Sequence, residues 1–194
     1  MTQYEILETC LLSDNWATLK TTRLRLTLSD GSIQEQWRET YDRGDGAVIL
    51  PYDPARRHVL LGRQFRWPAA YVGEDPHLIE AAAGLLDDAA PDARIKEEAE
   101  EELGLVLTHP RRLFDLFMSP GSVTERLTFF TAEYRAEEAT ATIGGLPEEG
   151  EEIEILDLPL AEALDMVADG RIRDAKTVIL LQYAALHLMP EDPT

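Results

Sequence analysis

The chain is 194 residues long, enough for one full domain or for one domain with a small appendage. Its 18 Lys and Arg against 37 Asp and Glu leave a net charge of −19, a field that repels DNA and disfavours general nucleic-acid binding, but not the binding of a small phosphorylated ligand through cations. With 44% hydrophobic and 28% charged residues the composition is globular, the longest apolar runs fall far short of the ~20 residues of a membrane helix, and the single Cys10 permits no internal disulfide.

The start, MTQYEILETC, lacks a basic segment followed by an apolar one, so no secretory signal is expected and a soluble cytoplasmic protein is the default. TRLRLTL (22–28) alternates polar and apolar residues, and SIQEQWR (32–38) follows a Ser-Asp-Gly turn, which together predict a β-hairpin. GAVILPYD (46–53) and RHVLLGRQF (57–65) flank Asp53-Pro54 with continuous apolar runs, the pattern of strands buried on both faces. In 92–103, Ile95, Ala99 and Leu103 recur at helical spacing and Gly104 supplies a stop. Strand patterns return at 111–117, 125–134 and 151–158, and helical ones at 161–170 and 175–189. A polar, Gly-containing loop spans 137–152, long enough to suggest a functional role. The four histidines are too scattered for a metal motif.

The helix at 92–103 is the most informative element, with five glutamates in positions 97–102. Glu97 and Glu100 project roughly opposite the apolar stripe, as on any solvated face. Glu98, Glu101 and Glu102 gather on one flank beside the stripe, where like charges repel unless a cation sits among them. Hard carboxylate oxygens suit Mg²⁺ or Mn²⁺, which in turn bind phosphates.

Residues 84–104, GLLDDAAPDARIKEEAEEELG, resemble the Nudix box, Gly-x5-Glu-x7-Arg-Glu-U-x-Glu-Glu-x-Gly-U with U aliphatic, and EAEEELGL (98–105) matches the second half of that pattern position by position. The first half departs from it. Gly84 and Gly104 lie one position closer than the pattern requires, the early glutamate falls on Ala89 or Ala90, and the arginine position is Glu97. Arg94 or Lys96 could replace the arginine, and Asp87, Asp88 or Asp92 the early acid. Further segments, YDRGDGA (41–47), RQFRW (63–67), LIEAAAGLLD (78–87), MSPGSVTE (118–125) and RDAKTVILLQY (173–183), resemble the Nudix branch that hydrolyses nucleoside diphosphate sugars and ADP-ribose. Pro120, 16 positions after Gly104, fits the same branch.

The resemblance implies an α/β/α Nudix sandwich on a mixed sheet (44–194), preceded by a small N-terminal β region (1–43) that crosses to a partner in a homodimer. It implies a nucleotide-sugar substrate of the GDP-mannose or ADP-ribose type, split at the pyrophosphate with Mg²⁺, Mn²⁺ being the alternative ion. Glu98, Glu101 and Glu102 are then metal ligands, joined by the carbonyl of Ala83. The catalytic base is Glu149, or Glu151, which can also reach the metal. Arg63 and Arg66 contact phosphate, with Arg38 and Arg43 as further candidates. Glu80 supports the metal cluster and counts among the substrate-binding residues, Lys176 lies near the sugar or phosphate, and Trp16 stacks on the base from the partner subunit. Each has a plainer reading: surface ion pairs for the arginines, cap-region charge for Lys176, a hydrated loop for the two glutamates, and packing for Trp16. The alternative to an enzyme is a Nudix-fold binding module weakened by the missing early glutamate and arginine.

Overall fold

The computed structural model describes residues 1–190, the side chain of Glu149 excepted. The chain divides into two compact units, Met1–Asp45 with Phe117–Arg126, and Gly46–Leu116 with the described residues from Leu127 onward.

The first unit is an antiparallel sheet in the order β1 (Gln3–Asp14), β2 (Thr18–Thr27), β3 (Ile33–Asp42). The expected hairpin is β2 and β3, in register from Thr18 opposite Asp42 to Thr27 opposite Ile33. In its turn Gly31 takes a φ of 84°, and the Asp30 carboxylate accepts from the Ser32 amide at 2.9 Å and its hydroxyl at 2.7 Å. β1 is a strand that the alternation did not reveal. Nearly all its side chains are exposed, so no buried face imprints a period on its sequence. Within the same unit the Tyr41 amide donates to the Ser122 carbonyl at 2.8 Å and the Thr124 amide to the Tyr41 carbonyl at 3.1 Å.

The second unit contains β4 (Gly46–Asp53), β5 (His58–Phe65), the short α1 (Trp67–Tyr71), β6 (His77–Glu80), β7 (Ala82–Leu85), α2 (Pro91–Leu103), β8 (Arg111–Phe117), β9 (Arg126–Glu133), β10 (Ile143–Gly144), β11 (Ile153–Pro159), α3 (Leu160–Ala168) and α4 (Ala175–Tyr183). The sheet runs β10-β11-β5-β4-β9-β8, with β4 parallel to β9 and antiparallel to β5, so it is mixed as expected. All eight residues of β4 are buried, as its unbroken apolar run predicts.

A fork in this sheet positions the site. β4 and β5 pair only at Tyr52 with Val59 and Asp53 with His58. They then part, β5 taking β6 and β4 taking β7. Ala81 sits at the fork, and its amide donates to the hydroxyl of Thr177 in α4 at 2.7 Å. Leu60 packs in the cluster formed with Ile95, Ala99 and Leu103 of α2. Strand alternation therefore turns Gly62 and Gln64 to the α2 side and Arg63 to the other.

Helix α2 begins with Pro91 at its first turn and buries Ile95, Ala99 and Leu103 while Glu97 and Glu100 stay exposed, the arrangement read from the sequence. It stops at Gly104, whose φ of 63° turns the chain so that the next amide, that of Leu105, reaches back to the Ala99 carbonyl at 3.0 Å. The 137–152 loop carries β10 and a single 3₁₀ turn, Pro147–Glu149. α4 continues into one π-helical turn, Ala184–Leu188. Among the described residues no helix is long and apolar enough to cross a membrane.

Candidate active site

Glu98 and Glu102 lie one turn apart on α2 and are only 5% and 4% exposed, an unusual fate for two carboxylates. Their burial follows from their place beside the apolar stripe and from β7, which lies against the helix. At Gly84 in β7 a Cβ would collide with the Glu98 carboxylate, so only glycine lets strand and acid approach this closely. The Ala83 amide donates to Glu102 Oε2 at 3.0 Å. Arg94, one turn before Glu98, ion-pairs with Glu98 Oε1 at 2.5 Å, Glu97 at 3.3 Å and Glu101 at 3.8 Å, and its Nε donates to the Leu85 carbonyl at 3.2 Å.

These surroundings shift the acids upward. Burial pushes Glu98 to about 7, with Arg94 opposing and the charges of Glu101 and Glu151 reinforcing. Burial pushes Glu102 to about 8, with the charges of Glu98 and Glu151 adding to it and the Ala83 amide and Arg66 opposing. Glu151 is thus close enough to be felt by both. The loop is held against α2 by the Gly145 amide, which donates to the Glu101 carbonyl at 2.8 Å. Gly144 sits so tightly on the last turn that a Cβ there would strike the Glu102 carbonyl.

A second cluster forms at the fork. Glu80, 3% exposed at the end of β6, accepts from Arg66 Nε at 2.9 Å, Arg66 Nη2 at 3.1 Å and Lys176 Nζ at 2.5 Å. Burial alone would raise its pKa, but Lys176 and Arg66 outweigh it and Glu80 stays below its ordinary value. Lys176 also pairs with Asp174 at 3.0 Å, and Asp174 caps α4 by accepting from the Thr177 amide at 3.0 Å. Arg66 feels both Glu80 and Glu102, which links the two clusters.

The remaining expectations fall elsewhere. Arg63 pairs with Glu154 at 2.9 Å and lines a cavity of about 700 Å³ together with Ile79, Met166 and Arg173, on the sheet face turned away from α2. Of the loop acids, Glu151 is described and the side chain of Glu149 lies outside the described residues. In the first unit Arg43 stacks over the Trp16 ring at 5.5 Å and pairs with Glu125 at 2.9 Å, while Trp16 is 70% exposed. Arg38, also in that unit, donates to the Trp37 carbonyl at 2.9 Å and to Gln36.

Sequence reasoning left Arg94 and Lys96 as alternatives for the box cation; it is Arg94 that reaches the carboxylates. It missed the Gly144-Gly145 seat altogether. The only signal was the glycine pair in an otherwise acidic loop, which reads equally well as a turn.

The donor set suits a hard divalent cation. Glu98, Glu101, Glu102 and Glu151 could supply oxygen ligands, and the repulsion among these acids, two of them buried, is what such a cation would relieve. Among the described residues, no three carboxylate, imidazole or thiolate groups already converge on one point at ligand distance. Arg94 holds Glu98.

Residues 3–41 match the family described as the GDP-mannose pyrophosphatase NudK N-terminal domain. The GDP-mannose pyrophosphatase of Klebsiella pneumoniae is 50% identical over 174 residues, covering 89% of this chain and 87% of the relative. That of Pectobacterium atrosepticum is 49% identical over 183 residues, covering 94% of each. A crystal structure of an ADP compounds hydrolase superposes with a TM-score of 0.69 at 21% identity over 93% of this chain and 91% of its own, a likeness of fold.

Proposed function

Since the chain belongs to the Nudix hydrolases, in the family of the GDP-mannose pyrophosphatases, we propose that it hydrolyses the pyrophosphate bond of a nucleoside diphosphate sugar. GDP-mannose is the substrate of first choice, giving GMP and mannose 1-phosphate, and ADP-ribose is the second. The observation that carries this reading is the buried Glu98 and Glu102 pair, set against Gly84 and Ala83 of β7 and raised in pKa by burial, with the charge of Glu98 adding to the rise at Glu102. Two such acids cost stability unless their charge serves a ligand.

Glu98, Glu101 and Glu102, with the Ala83 carbonyl and Glu151, would hold Mg²⁺, or Mn²⁺ in its place. The ion supplies charge neutralisation at the diphosphate and makes water more acidic. The protein does the rest. Arg66, held bidentately by Glu80, presents a fixed guanidinium to a phosphate oxygen, and Lys176 adds a second charge from the start of α4. Glu149 takes the proton of the attacking water, with Glu151 supporting the acidic cluster. The new phosphorus–oxygen bond forms as the bridging one breaks, and the leaving phosphate departs with the charge that the cations compensate.

The exposed Trp16, braced by Arg43, supports a role in stacking on the nucleobase, and Arg38 of β3 in the same sheet is a further candidate for substrate contact. In this reading residues 1–43 exchange between the subunits of a cytoplasmic homodimer and deliver Trp16 to the partner's site. The test is a phosphatase-coupled screen of nucleoside diphosphate sugars and ADP-ribose with Mg²⁺ and with Mn²⁺. GDP-mannose should lead. Absence of turnover with every substrate, alongside measurable nucleotide-sugar binding, would favour a binding module instead.

A further inference from the structure

We propose that Arg94 is a built-in counter-ion of the metal site, which a divalent cation must displace from Glu98 and Glu101 before it can bind. The inference rests on the metal reading of those acids and goes beyond it, because it concerns what occupies them before the ion arrives. Arg94 reaches Glu98 Oε1 at 2.5 Å and Glu101 at 3.8 Å, so a guanidinium and a metal ion would contend for the same oxygens. The ion pairs that these two acids make among the described residues come from Arg94 and not from Lys96.

Arg94 also has somewhere to go. Glu97, three residues on and 58% exposed at its side chain, lies within 3.3 Å of its Nη1, and the Leu85 carbonyl holds its Nε at 3.2 Å. Neither belongs to the ligand set. Positions i+3 and i+4 on a helix lie side by side, so a small torsion carries the guanidinium from Glu98 to Glu97 without releasing Leu85. The glutamate standing at the arginine position of the box thereby gains a purpose: it parks the displaced cation. Loading would then require a metal concentration set partly by Arg94, since the metal's affinity is reduced by the cost of the exchange.

The test follows the unfolding temperature of the substrate-free protein, and the bound Mn²⁺ signal by electron paramagnetic resonance, as Mg²⁺ or Mn²⁺ is titrated at pH 8. Arg94→Gln should lower the metal-free melting temperature, since the acids lose their counter-ion. It should also reduce the metal concentration giving half saturation by at least about fivefold. Glu97→Gln should raise that concentration. Arg94→Lys, which keeps the charge but not the fork, should fall between wild type and Arg94→Gln and provides a folded variant if the glutamine form is too unstable. Weaker or unchanged metal binding in both Arg94 variants would overturn the proposal and make Arg94 a simple positioner of Glu98. A wild-type chain that responds to neither ion would overturn the metal reading beneath it, a result seen before any variant is made.

Discussion

Glu98 and Glu102 behave oppositely to the paired surface carboxylates of most acidic proteins. Their native values of about 7 and about 8 stand above the ordinary 4.5 of the unfolded chain. Between pH ~4.5 and ~8 the folded state therefore binds more protons than the unfolded one, and the contribution of these acids to stability declines as pH rises through that window. Replacing Glu102 by Gln removes the penalty. The melting temperature of Glu102→Gln minus that of wild type, measured with a chelator present, should increase from pH 5.5 to pH 8.5. A difference that is flat with pH would mean that the pair is not strained. The base belongs to the same scale. Glu149→Gln should lower kcat by ~10²–10⁴-fold with metal and substrate affinity nearly unchanged. If Glu151→Gln alone has that effect, the base is two residues further along the loop. The three box acids stood out because their types and spacing match the box pattern, and Glu80 because it lies in the segment LIEAAAGLLD that resembles the family. Arg94 was only half legible, since a sequence shows which cations are near in number but not which one the helix turns toward the acids. Arg63 looked equivalent to Arg66, yet the period of two turns it away from α2 and toward Glu154.

Among the elements, α2 was readable almost in full: its apolar stripe, its start near Pro91 and its end at Gly104 all follow from local rules. The seat of the loop on that helix was not. It depends on β10 pairing with β11 and on a close backbone approach at Gly144, neither of which leaves a periodic signature in two residues. Gly144→Ala should push the loop off the last turn of α2, because the added methyl meets the Glu102 carbonyl. The expected outcome is a fall in kcat of tenfold or more with modest loss of stability, read by steady-state kinetics and thermal melting together. Wild-type kinetics in this variant would show that the loop does not need its seat. The N-terminal strand β1 escaped for another reason: its exposed side chains carry no burial period, so pairing with β2, not amphipathicity, defines it.

For the molecule as a whole, net charge disfavours a polyanionic partner but could not choose among small phosphorylated ones; that choice rests on relatives that share half their residues with this chain. The expected homodimer is a statement at this scale, and light scattering tests it: a mass of two chains supports delivery of Trp16 in trans, and a monomer at assay concentration rules that delivery out. In the dimer, Trp16→Ala should raise KM more than it lowers kcat, since stacking on a base is equal in ground and transition states.

The central claim is that the buried acids of α2 hold the ion on which pyrophosphate hydrolysis depends. Its most direct test is the turnover of GDP-mannose with saturating Mg²⁺ by Glu102→Gln, compared with wild type after both are shown to be folded. The account predicts a loss of about 10³-fold or more, because one neutral amide replaces a charged ligand of nearly the same size. Turnover within tenfold of wild type would contradict it.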